Sequence, residues 1–145
     1  MSCYPFELVR QNHISYDYEL YDGDDKISLV FQHIGEEQYD VHYARLVKKE
    51  DGTYKRITTA AGISSNAKKL LWTIGHICVH FCTVANPNMD SINFDFIADR
   101  QQSRINIFLM LVDRIMPPEF GLYHDDEVMY IMRKEKAEKN EKKVN

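Results

Sequence analysis

The order of hydrophobic patterns along the chain predicts an α+β fold, an antiparallel β-meander followed by helix–strand–helix–strand. Three observations carry this reading. Up to Thr58, apolar residues recur at every second position between turn signals. From Ala67 they recur at i, i+3, i+4 and i+7, the spacing of one helix face. The run Ser91 to Pro118 then joins a strand, a polar turn and an amphipathic helix stopped by two prolines.

In order, Tyr4 to Val9 is a short apolar stretch suited to an edge strand or a tuck onto the core. Ile14 to Tyr21 is a half-buried strand, with Ile14, Tyr16, Tyr18 and Leu20 on one face against Ser15, Asp17 and Glu19. The turn Asp22-Gly23-Asp24-Asp25 leads into Lys26 to His33, where Ile27, Leu29 and Phe31 alternate with polar residues. After Gly35-Glu36-Glu37, the strand Gln38 to Val47 places Tyr39, Val41, Tyr43 and Val47 on one face, interrupted by Arg45. Asp51-Gly52 turns the chain into a last short strand, Thr53 to Thr58, completing the meander.

The first helix carries Ala67, Leu70, Leu71, Ile74, Ile77, Cys78 and Phe81 on its stripe, with Ser64 or Ser65 as cap and Asn86-Pro87-Asn88 as stop. Ile92, Phe94 and Phe96 alternate with Asn93 and Asp95 as a strand extended by Ile97 and Ala98. Ser103 caps a second helix with a buried stripe of Ile107, Phe108, Leu111, Val112 and Ile115. Phe120 to His124 and Glu127 to Arg133 read as a closing hairpin about Asp125-Asp126. Residues 1–133 are therefore expected to form a single α+β domain, and the lysine- and glutamate-rich residues 134–145 a charged tail, either a frayed helix or disordered.

The net charge of −4 supplies no overall footprint for nucleic acid or an anionic membrane. No apolar run reaches the ~20 residues a bilayer span needs. Three cysteines without a framework spacing, and no secretory pattern in Met1 to Arg10, point to the reduced cytoplasm.

His76-Ile77-Cys78-Val79-His80-Phe81-Cys82 contains four potential zinc ligands. On a helix the histidine pair and the cysteine pair lie about 200° apart around the axis, so the four do not meet at one ion. Buried thiols and solvated imidazoles are expected, with no metal. A thiol on a helix's apolar stripe is also inert packing, which argues against a Cys–His nucleophile. Asp22, Asp24, Asp25, Asp125 and Asp126 sit in turns and read as turn formers. Arg100 and Arg104 flank the entry to the second helix, where an anion or partner contact competes with an ion pair to Asp95 or Asp99. The loop from Thr58 to Asn66, with Gly62, Ser64 and Ser65, joins a strand to a helix N-terminus, where a candidate anion cradle competes with an ordinary capped turn, the reading a single glycine favours. The aromatic residues concentrate in strands whose exposed neighbours are mostly acidic, which favours core packing over base stacking.

The helix-bearing half, Gly62 to Arg133, resembles the acetyl-CoA-binding half of GNAT-type acyltransferases. Val128-Met129-Tyr130-Ile131-Met132-Arg133-Lys134 looks like the closing strand of such domains. The run SINFDFIADRQQSRINIFLMLVDRIMPP is similar to short bacteriophage proteins with the same meander–helix–strand–helix order. The resemblance implies a cofactor pyrophosphate held at Gly62, Ser64 and Ser65, and a cleft for the pantetheine arm where the sheet splays beside that loop. The chain departs from the family pattern in two places. Arg56 lies six residues before the lone Gly62, and position 64 is serine where the pyrophosphate loop takes glycine or alanine. Phe108 stands near the position of the family's proton-donating tyrosine, leaving Tyr123 and His124 as substitutes only if the fold brings them close. The expectation is a GNAT-like scaffold that has lost acyl transfer and uses no cofactor. It would serve as an accessory protein that acts on a host or viral protein partner, and the resemblance implies that a phage encodes it. An active acetyl-CoA-dependent N-acyltransferase and a nucleic-acid-binding accessory protein are the two alternatives.

Overall fold

The computed structural model describes residues 2–57, 67–94, 102–124 and 128–136. It is a mixed α+β structure built on one large, mostly antiparallel sheet. Strands β1 (Phe6–Gln11), β2 (Ser15–Asp22), β3 (Asp25–Gly35), β4 (Gln38–Lys48) and β5 (Tyr54–Ile57) precede helix α1 (Ala67–His80). A π-helical turn, Phe81–Ala85, extends α1. Then come β6 (Ser91–Phe94), α2 (Gln102–Ile115), β7 (Phe120–His124) and β8 (Met129–Arg133). The spatial order is β1-β2-β3-β4-β6-β8-β7, with β5 also paired to β4. Every pairing is antiparallel except β4 with β6.

The meander forms as the alternation requires, with β1 as its edge strand. The β2–β3 hairpin closes on Gly23, whose φ of +63° is the left-handed geometry a two-residue loop demands at that position. In the β3–β4 hairpin the positive φ falls on Glu36 rather than on neighbouring Gly35. Ile14, expected on the buried face of β2, instead precedes the strand and is 55% exposed.

A parallel pair cannot be closed by a tight turn, so the chain between β4 and β6 must cross over the sheet. α1 makes that crossing and packs on the face lined by Tyr18, Leu29, Phe31, Tyr39 and Val41, all buried. Phe81, just past α1, stacks on Phe31 with centroids 4.3 Å apart. Each such side chain contributes about 1.5–3 kcal/mol through its burial. α2 lies against α1 on the same side, and Phe108 meets Phe94 edge-on at 5.6 Å. A Cβ built on Gly75 would lie 3.2 Å from Ile115 Cδ1 and 3.3 Å from Val112 Cγ2, so the bare glycine lets the two helices approach. α2 starts at Gln102, one residue ahead of the serine expected to cap it, so Ser103 sits within its first turn. Among the described residues no helix packs on the opposite face of the sheet.

Arg45 interrupts the apolar face of β4 and is only 8% exposed. Its Nη2 lies 2.9 Å from Asp22 Oδ2 and 2.7 Å from Asp25 Oδ2, and Nε donates to Asp25 at 3.0 Å. Burial disfavours the guanidinium charge, but the two carboxylates more than offset this and its pKa is raised. The turn aspartates thus form a carboxylate clamp that ties the β2–β3 hairpin to β4. Arg45→Ala should lower stability by about 3 kcal/mol in urea unfolding, since it leaves two half-buried carboxylates without their cation. Arg45→Met should also destabilise, for the same reason. A change below the precision of the midpoint in both variants would show that the clamp contributes nothing.

Candidate functional site

The second face of the sheet carries a polar row fixed by strand register. Ser15, Gln32, Asp40, Asn93, Tyr130 and Tyr123 stand directly opposite one another across β2, β3, β4, β6, β8 and β7. Strand alternation explains their shared side: Tyr39 and Val41 point to the helices, so Asp40 and His42 point away.

Where β4 meets β6, a recess of about 190 Å³ is lined by Asp40, Val41, His42, Asn93 and Val128. Asn93 Nδ2 donates to Asp40 Oδ1 at 3.2 Å. His42 Nε2 lies 2.9 Å from Gln32 Oε1, within hydrogen-bond distance. Next to Asn93, Tyr130 and Tyr123 stack with centroids 5.9 Å apart and planes 23° from parallel. The recess therefore presents a held carboxylate, an amide and an oriented imidazole, with no nucleophile among the residues named. Its volume suits a small polar group rather than a ligand of drug size. Among the described residues this edge of β4 pairs with β6 over Gln38–Val41 and with β5 over Arg45–Lys48.

The cysteine–histidine run falls on α1 and the turn beyond it, and its members do not converge. Cys78 is fully buried and Cys82 nearly so, with Cys82 Sγ 3.8 Å from Met89 Sδ. Burial pushes the Cys82 thiol up to about 12, and holds Cys78 well above its ordinary value. The histidines, expected to be solvated, are half-buried and engaged. His76 meets Trp72 edge-on at 4.8 Å, and His80 Nδ1 lies 2.7 Å from the Tyr18 hydroxyl. Among the described residues no group of three or more His, Cys, Asp or Glu side chains is placed to hold a metal ion.

Of the residues singled out from sequence, Gly62, Ser64, Ser65 and Arg100 lie outside the described residues, as do Asp125 and Asp126. Arg104 lies within the first turn of α2, and its side chain is outside the described set. Phe108 is buried under α2 on the helix face, whereas Tyr123 stands on the other face beside Tyr130, so the fold does not bring them together. The Asp40–Asn93 and His42–Gln32 pairs carried no signal in sequence. Asp40 and Asn93 are 53 residues apart and meet only through the parallel register. No helix among the described residues is long and apolar enough to cross a membrane. Comparison of the chain with protein-family models, curated proteins and solved structures finds no match.

The burial of the two helix thiols has a direct chemical consequence. At pH 8 a water-soluble disulfide reagent should modify Cys3 in the folded protein and leave Cys78 and Cys82 untouched, with all three reacting after denaturation. Mass mapping of labelled peptides reads this out. Fast labelling of Cys78 or Cys82 in the native state would show that α1 opens readily or packs otherwise.

Proposed function

We propose that the chain is an accessory interaction protein on a GNAT-like scaffold that has lost acyl transfer and acts on a host or viral protein partner, in keeping with the resemblance to bacteriophage proteins. The observation that carries this reading is the divided edge of β4. One parallel strand pair, a crossover helix between its members and a final strand inserted beside β6 fit the resemblance noted for Gly62 to Arg133. On that scaffold the pantetheine arm would need the sheet to splay beside the loop that precedes α1. Here, among the described residues, β5 pairs with Arg45–Lys48 on the same edge of β4 that β6 joins at Gln38–Val41, and so fills part of that edge. The buried Phe108 and the distant Tyr123 further weigh against proton transfer from the second helix. Arg100 and Arg104 are the proposed partner contacts, because guanidinium groups at a helix entry suit a carboxylate-bearing surface.

An active acetyl-CoA-dependent acyltransferase would bind its cofactor. With acetyl-CoA or CoA at millimolar concentration, the melting temperature should stay within a degree of the unliganded protein. A saturable rise of several degrees would overturn the loss of acyl transfer. Affinity capture from the native host, repeated with Arg100→Glu/Arg104→Glu, tests the interaction role separately. A specific partner retained by the parent chain and lost by the double variant is the expected result, and equal retention by both removes these arginines from the interface.

A further inference from the structure

The sheet face opposite the helices has a second feature, where β2, β3, β4 and β5 lie side by side. Tyr21, Lys26, Leu46 and Arg56 lie directly opposite one another on β2, β3, β4 and β5. Tyr54 and Lys48 form the adjoining pair on the same face. Tyr21 is 59% exposed and Tyr54 49%, unusual for large rings on a strand face, and half-buried Leu46 lies between Lys26 and Arg56. Lys48 and Arg56 are exposed, and among the described residues neither makes a salt bridge with an acidic side chain. Lys26 pairs with Glu19 at 2.8 Å. That hydrogen bond raises the Lys26 pKa.

With neighbouring strands about 4.8 Å apart, the row from Tyr21 to Arg56 spans about 14 Å. That is the reach of two or three nucleotides of an extended single strand. Rings that present their π-faces to solvent, interleaved with cations, are the elements by which sheets hold unpaired bases and their phosphates. On the strand face itself three cations, Lys26, Lys48 and Arg56, stand against Glu19, and Asp24, Glu50 and Asp51 lie in the bordering turns. The acidic members of the open face, Asp17 and Asp40, lie farther along the strands.

We propose that this corner is a binding surface for single-stranded nucleic acid, with Tyr21 and Tyr54 stacking on bases and Lys26, Lys48 and Arg56 contacting phosphates. It rests on the sheet face alone and stands whether or not the scaffold ever carried acyl-CoA. An acidic peptide would use the cations but gain little from the rings, and a duplex hides its base faces, so the aromatic pair favours the single strand.

The test is fluorescence anisotropy of the full chain with a labelled 12-nucleotide oligothymidylate at low salt, beside a duplex of equal length and an oligoglutamate competitor. Binding to the single strand is expected to exceed duplex binding, and to fall with salt at a log–log slope of about −2 for three phosphate contacts. Tyr21→Ala and Tyr54→Ala should each weaken it by about fivefold or more. Arg56→Glu should weaken it and flatten the salt slope. All three positions are exposed, so the variants are expected to keep the parent circular dichroism spectrum, which is checked first. Absence of binding at 100-fold protein excess over the probe overturns the proposal. So does binding indifferent to both tyrosines, equal affinity for duplex, or full displacement by oligoglutamate at matched charge.

Discussion

The parallel pairing of Gln38–Val41 with Ser91–Phe94 joins the two halves of this molecule, and the rest of the architecture follows from it. Parallel neighbours need a crossover, the crossover is α1, and α1 must bury its apolar stripe on the sheet it spans. The face it covers becomes the core. β8 then pairs with the free edge of β6 and β7 closes the sheet beyond it. Because β4 also holds β5 on the same edge, the junction between the two halves is partly filled from the start.

This arrangement separates two kinds of chemistry. The helix face gathers groups that structure consumes: Cys78 and Cys82 in apolar surroundings, Tyr18 bonded to His80, and Arg45 neutralised between Asp22 and Asp25. A buried tyrosine satisfied by a histidine keeps its phenol protonated, and burial raises its pKa far above the ordinary value. The outer face keeps polar and aromatic groups within reach of solvent, the Asp40–Asn93 recess at the sheet's centre and the Tyr21–Tyr54 corner at its side. A functional reading therefore looks to the outer face even though the most conspicuous residues, the alternating cysteines and histidines, lie on the helix.

Much of the fold was legible because period and punctuation are local properties. Alternation in Ile27, Leu29 and Phe31 and the stripe from Leu70 to Phe81 each report burial without reference to any distant residue. Gly75 read as a mild cost to a helix, and its reason, room for Val112 and Ile115, depends on a second helix some forty residues on. Arg45 read as an interruption for the same kind of reason: its carboxylate partners sit at the far end of another hairpin. The candidate sites were less legible still. The judgement that strand aromatics pack in the core holds for Tyr18, Tyr39 and Tyr43 and does not hold for Tyr21 and Tyr54, because which tyrosines face outward depends on strand register.

The amino-acid order by itself determined the succession of elements, the turns that separate them and the inertness of a thiol pair on a helical stripe. These rest on backbone periodicity and on side-chain chemistry confined to a few neighbouring residues. Only the tertiary structure decided that β5 and β6 share one edge of β4, that both helices take the same face, and which polar side chains the opposite face assembles. Those outcomes depend on register between strands tens of residues apart, where a slip of one residue would exchange the two faces.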